Sequence, residues 1–143
     1  MEIAKWDDSY KTGHIVVDTQ HQELFRMVNQ LHTAIMEDRA KEILMPTLEK
    51  LAGYTLEHFR SEEHLMAKVN YPAMSAHKQM HQELTNEVKE LIEKYKSGRT
   101  ALTITLSNFL AKWLRHHIKE ADLALVKYIR GHGNAMTAAS AKP

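Results

Sequence analysis

The chain has 143 residues, 43% of them hydrophobic and 26% charged, the balance of a single soluble globular domain. Nineteen Lys and Arg against eighteen Asp and Glu leave a formal charge of +1, which offers no field for nucleic acid and no polybasic anchor for a membrane. The absence of cysteine excludes disulfides, zinc–thiolate sites, iron–sulfur clusters and covalently attached haem, and leaves ten dispersed histidines as the unusual number.

The N-terminal residues MEIAKWDDSY carry acids where a signal peptide needs a basic start and an apolar run. No stretch approaches the roughly 18 apolar residues of a membrane span. The expected location is therefore cytoplasmic. An irregular arm containing Trp6, Tyr10 and Gly13 comes first. Asp18 is the expected N-cap of a first helix near residues 19–38, whose apolar stripe is Leu24, Phe25, Val28, Leu31 and Ile35. A second helix is predicted from the forties, with Pro46 in its first turn. Its heptad seam at positions 44, 48, 51, 55, 58, 62 and 65 reads Leu, Leu, Leu, Thr, His, Glu, Leu, and Asn70-Tyr71-Pro72 breaks it. A third helix is predicted from about Ala73, with the seam Met74, His77, His81, Leu84, Val88, Leu91 and Tyr95, stopped by Ser97-Gly98. A fourth runs from about 101 toward 130 with Leu106, Leu110, Trp113 and His117 on one face, Gly131 ending it. Residues 131–143, rich in Ala, Gly and Ser, are expected to form a disordered tail after a domain of residues 1–130.

The fold class these elements predict is all-α: an antiparallel up-down-up-down four-helix bundle with an irregular N-terminal arm. Three seams of this bundle place histidine or glutamate where the pattern assigns core, and buried polar groups need partners or a metal. A lone inward histidine is more often a hydrogen-bonded core residue than a ligand, and His-x-x-x-His arises by chance on any histidine-rich helix. The topology makes the set stronger than its members. The start of helix one, the end of two, the start of three and the later part of four share one end of the bundle. His21, His58, Glu62, His77, His81, His117 and Asp122 therefore converge on one layer. Nitrogen donors favour iron, copper, nickel or zinc over magnesium or calcium, carboxylates bridge pairs of cations, and the lack of thiolates leans toward iron.

The same geometry sets five histidines aside. His32 lies roughly 16 Å along the axis from His21, and His116 is turned about 100° from His117. His64 falls between seam positions, His14 precedes the first helix, and His132 lies between two glycines.

Asp18-Thr-Gln-His21, His58-Phe-Arg-Ser-Glu62-Glu63, His77-x-x-x-His81 and Trp113-Leu-Arg-His-His117-x-x-x-x-Asp122 resemble the signature of the hemerythrin family, its bacteriohemerythrins in particular, over roughly residues 6–125. The resemblance implies a non-haem di-iron centre that binds dioxygen reversibly, without enzymatic turnover. One iron would take His77, His81 and His117 and the other His21 and His58. Glu62, Asp122 and a solvent-derived oxo or hydroxo group would bridge them, leaving the second iron one open position for dioxygen. It further implies a small dry pocket lined by Leu24, Phe59, Trp113, Leu114 and Ile118. Glu63 follows Glu62, as is common in the family, and is expected to face solvent or to stand behind a ligand, with no assigned role.

One departure is visible. The family commonly carries an aromatic residue one turn after the bridging aspartate, whereas position 125 is leucine and Tyr128 comes later. The apolar run Leu123–Ile129 is then left to lengthen helix four or to meet another subunit. Competing readings are oxygen or nitric oxide sensing or scavenging at the same opening, a di-iron oxidase or peroxidase, iron storage, and a metal-free bundle. Ferritin-like enzymes use Glu-x-x-His motifs with more carboxylates and fewer histidines, and the absence of a kinase, methyl-accepting or DNA-binding segment favours carriage over sensing. Oligomeric state is not legible, and small anions are conceivable ligands of the same opening.

Overall fold

Every regular element among the described residues, 3–39, 41–99, 101 and 103–131, is helical in the computed structural model. The order is a 3-10 turn Asp8–Tyr10, then α1 Ile15–Met36, α2 Lys41–Lys68, α3 Met74–Lys96, α4 Ile104–His117, a π-helical turn Ile118–Asp122, and α5 Leu123–Gly131. α4, the π turn and α5 form one continuous fourth rod, so the architecture is the predicted four-helix bundle. α1 packs against α2 and α4, and α2 against α3. No helix among the described residues is long and apolar enough to cross a membrane.

The apolar stripes form the core. Leu24, Phe25, Val28 and Leu31 of α1 meet Leu44, Leu48 and Leu51 of α2, Leu84 of α3, and Leu110 and Ala111 of α4. One buried polar pair sits among them, His32 Nδ1 at 2.7 Å from Ser107 Oγ, which confirms His32 as a satisfied core residue between α1 and α4.

Three of the connections follow one device. Asp38, Asn70 and Gly98 take positive φ (52°, 52° and 76°), and the next N–H reaches back across the helix end: Arg39 to Ala34 O, Tyr71 to Met66 O, Arg99 to Lys94 O. Asp and Asn tolerate the left-handed conformation better than most residues, so they stop α1 and α2 as glycine stops α3.

Several predicted boundaries move. α1 begins at Ile15, capped by the His14 imidazole, which accepts from the Val17 N–H at 3.4 Å. Asp18 is inside the helix and does another job. Its carboxylate accepts from Thr12 N–H (2.9 Å), Thr12 Oγ (2.7 Å) and Gly13 N–H (3.0 Å), fastening the arm to α1. Pro46 is in the second turn of α2, not the first, and the carbonyl it leaves unpaired belongs to exposed Glu42, where water can serve it. α4 starts at Ile104, and Gly131 is the last residue of α5; residues 132–143, including His132 and most of the expected tail, lie outside the described residues.

The arm packs on the fourth rod as well. Trp6, Tyr10 and Phe25 form a ring cluster with centroids 4.9–5.7 Å apart. Lys119 of the π turn lies over the Tyr10 ring, and Arg115 donates to the Ile3 carbonyl at 3.0 Å. The Arg130 guanidinium covers Gly13, whose φ of +93° and lack of Cβ permit that approach.

Candidate metal centre

The π turn solves a geometric problem in the sequence. An α-helix turns about 100° per residue, so a five-residue interval would put Asp122 about 140° round the rod from His117. The wider turn at Ile118–Asp122 returns it to the same face, and His117 Nε2 stands 3.1 Å from Asp122 Oδ1.

All seven predicted ligand residues meet at this end of the bundle, each at most 4% exposed. His21 comes from the second turn of α1, His58 and Glu62 from late α2, His77 and His81 from early α3, and His117 with Asp122 from the fourth rod. The two carboxylates divide the imidazoles between them. Asp122 Oδ1 faces His77 Nε2 at 3.0 Å and His117, and Glu62 Oε1 faces His81 Nε2 at 3.2 Å and His77 at 3.5 Å. On the other side Asp122 Oδ2 lies 2.8 Å from His21 Nε2, and Glu62 Oε2 lies 3.3 Å from His58 Nε2. Two donor sets result, Glu62-His77-His81-His117-Asp122 and His21-His58-Glu62-Asp122, each with its ligand atoms within 4.8 Å of one another.

The donor atoms fit metal. Ligands about 2.1 Å from an octahedral ion are about 3 Å apart along each edge, close to the separations above. His58 Nε2 and both Glu62 oxygens are buried with no hydrogen-bond partner among the described residues, an expensive arrangement unless a cation sits between them.

The electrostatics say the same. Burial alone would lower the imidazoles of His58 and His77, but the Glu62 and Asp122 carboxylates outweigh it and push each up to about 9. His21 is raised by the same carboxylates against its own burial. Burial would raise Glu62 and Asp122, yet the surrounding histidines, His58 beside Glu62 and His117 beside Asp122 foremost, hold both well below the ordinary carboxylate range. Two buried negative charges thus attract protons wherever no metal supplies positive charge.

Aromatic rings brace the histidines. Phe59 stacks on His81 with centroids 3.7 Å apart at 6°, and Trp113 on His117 at 4.4 Å and 14°. A cavity of about 30 Å³ adjoins the cluster and is lined by Leu24, Phe59, Trp113 and Leu114 together with His58, His117 and Asp122. Ile118, expected in that lining, is buried but does not line it. Val28, Leu51, Thr55, Leu84 and Leu110 do, which sequence reading missed. Thr55 turns its hydroxyl to the Leu51 carbonyl at 2.7 Å, so a nominally polar residue behaves as an apolar one here.

Sequence reasoning also left Gln20 unassigned, although it directly precedes His21. Its Oε1 lies 2.6 Å from His58 Nδ1, and Glu63 Oε2 lies 3.0 Å from His81 Nδ1. Tyr71 stands edge-on to His77 at 6.4 Å and to Tyr128 at 5.2 Å, so the aromatic company absent from position 125 is supplied by a pair of tyrosines from the α2–α3 turn and α5.

The fold and this cluster define a helical-bundle metal-binding protein with histidine and carboxylate donors. The hemerythrin HHE cation binding domain matches residues 12–129, and the chain belongs to the hemerythrin family. It is similar to the bacteriohemerythrin of Stenotrophomonas maltophilia, 30% identical over 134 residues that cover 94% of this chain and 86% of that protein. It is also similar to the bacteriohemerythrin of Methylococcus capsulatus, 34% identical over 123 residues, 85% and 93% of the two chains. A crystal structure of wild-type hemerythrin superposes with a TM-score of 0.79 at 30% identity, covering 84% of this chain and 92% of that one.

Proposed function

We propose that this chain binds dioxygen reversibly at a non-haem di-iron centre, as a carrier or store rather than an enzyme. The observation that carries this reading is the division of labour by Glu62 and Asp122. Glu62 presents Oε1 to His77 and His81 and Asp122 presents Oδ1 to His77 and His117, while the second oxygen of each faces His21 and His58. Glu62 and Asp122 would hold two cations between them, with His77, His81 and His117 as neutral nitrogen donors on one side and His21 and His58 on the other. Two ferrous ions, when bound, supply the electrons that hold dioxygen and recover them on its release.

The protein's part is positioning and exclusion. Phe59 and Trp113 keep the His81 and His117 rings from turning, so their Nε2 lone pairs stay aimed inward. Leu24 and Leu114, with Leu51, Leu84 and Leu110, give the adjoining cavity of roughly 30 Å³ largely apolar walls, which offer a water molecule few hydrogen-bond partners and a diatomic ligand enough room. Among the described residues, no ionisable side chain beyond the proposed ligands lines that cavity, which suits binding without proton transfer from the protein. The unequal donor count favours ligand entry on the side of His21 and His58.

Anaerobic reconstitution with ferrous iron followed by metal analysis tests the reading. Two irons per chain are expected. Near zero or one iron per chain sinks it.

A further inference from the structure

The histidines are not held alike from outside. His81 points Nε2 inward toward Glu62 and Nδ1 outward to the Glu63 carboxylate at 3.0 Å. His58 points Nε2 inward and Nδ1 to the Gln20 amide oxygen at 2.6 Å. A His58 ring that keeps its Nε2 lone pair inward carries its proton on Nδ1, so the amide end facing it is the accepting oxygen, and the amide nitrogen turns toward Ser61 Oγ at 3.5 Å. His21 Nδ1 is buried with no hydrogen-bond partner among the described residues.

An acceptor at Nδ1 holds the ring proton there and leaves the Nε2 lone pair free to bind metal. Charge then separates the two cases. A carboxylate accepting that N–H stabilises positive charge on the ring and makes Nε2 a stronger donor, while a neutral amide does so much less. The carboxylate sits on the three-histidine side, and the amide and the bare nitrogen sit on the two-histidine side. We infer that Glu63 and Gln20 are positioning residues that grade the two halves of the centre, the Glu63 half being the more electron-rich and the more easily oxidised. This rests on the di-iron reading above. Glu63 is well placed for such a role, because its side chain, 27% exposed, meets His81 Nδ1 at 3.0 Å while Phe59 stops the His81 ring from swinging away.

The test pairs Glu63→Gln, which keeps an acceptor and removes the charge, with Gln20→Glu, which adds a charge behind His58. Redox titration of the iron-loaded chain should show Glu63→Gln raising the potential of one iron and Gln20→Glu lowering that of the other. Zinc titration of the metal-free chain, a readout independent of oxygen binding, should show Glu63→Gln weakening one of two sites by about 10-fold or more. Both variants holding two metals per chain with wild-type potentials and wild-type zinc affinity would overturn the inference. So would a loss of thermal stability in both without any shift in potential, since that is a purely structural role. If Glu63→Gln fails to fold, Gln20→Glu alone decides by the sign of its shift. A wild-type chain holding fewer than two metals overturns the di-iron reading, and the inference with it.

Discussion

In the metal-free chain, protons occupy the role that metal takes in the loaded one, and their number is measurable. His58 and His77 are each held up to about 9, so at pH 7 both are mainly protonated. About two protons also balance the charges of Glu62 and Asp122, which burial fails to neutralise. Every ligand imidazole must be neutral to donate its lone pair, so metal uptake at pH 7 should release about two protons per chain. Calorimetric zinc titrations in two buffers of different ionisation enthalpy give that number directly. It should fall toward zero as the pH passes about 9.

The same protonation sets stability. Raised imidazoles stabilise the metal-free fold fully below the unfolded-state value of 6.5, and that contribution is lost as pH rises through about 9. The difference corresponds to roughly 3 kcal/mol for either histidine, and the two are not additive because they share the same carboxylates. The loaded chain has the opposite slope: its imidazoles are held neutral by metal, so its extra stability is present above about 6.5 and disappears as pH falls and protons compete. Urea unfolding of both forms from pH 5 to 10 separates them. Zinc uptake without proton release at pH 7, or a metal-free fold that gains stability between 6.5 and 9, would refute the reasoning.

Three further predictions concern single residues. His117→Ala should leave the chain unable to hold two metals, while His116→Ala, exposed and off the seam, should hold two as before; equal metal loss in both would show that the register of the fourth rod is wrong. Gly53 sits in the middle of α2 with nothing within 4 Å of an added Cβ, so Gly53→Ala should stabilise by about 0.5–1 kcal/mol, read as a rise in Tm. Leu31, fully buried between the metal end and the opposite end, should cost about 2–5 kcal/mol on replacement by alanine, with metal stoichiometry unchanged.

The bundle and its metal end were legible because helical periodicity and alternating chain direction do most of the work. Once the seams of α2 and α3 are aligned, His58, Glu62, His77 and His81 have nowhere else to go. The helix ends were less legible. Asp18 has the chemistry of an N-cap, yet it bonds the arm behind it, and His14 caps α1 with an imidazole that propensity ranks do not favour. Asp38 was passed over because its positive φ is a property of the closing turn, whereas Gly98 announces itself by lacking a Cβ. The π turn was readable only indirectly: the five-residue step from His117 to Asp122 is wrong for an α-helix, and a motif match carries that step without explaining it. Gln20 was missed, and the ligand that Glu63 stands behind was left open, for a different reason. Each adjoins a ligand in sequence, and only the folded arrangement shows which histidine each one touches.

Repeated oxygenation of the reduced, iron-loaded chain tests the central claim most directly. Visible absorption is followed while the gas phase alternates between oxygen and argon. The account predicts a band that appears with about one dioxygen taken up per two irons and disappears under argon, over several cycles. A band that never forms, or one that forms once and decays to an oxidised chain that argon cannot restore, would contradict it.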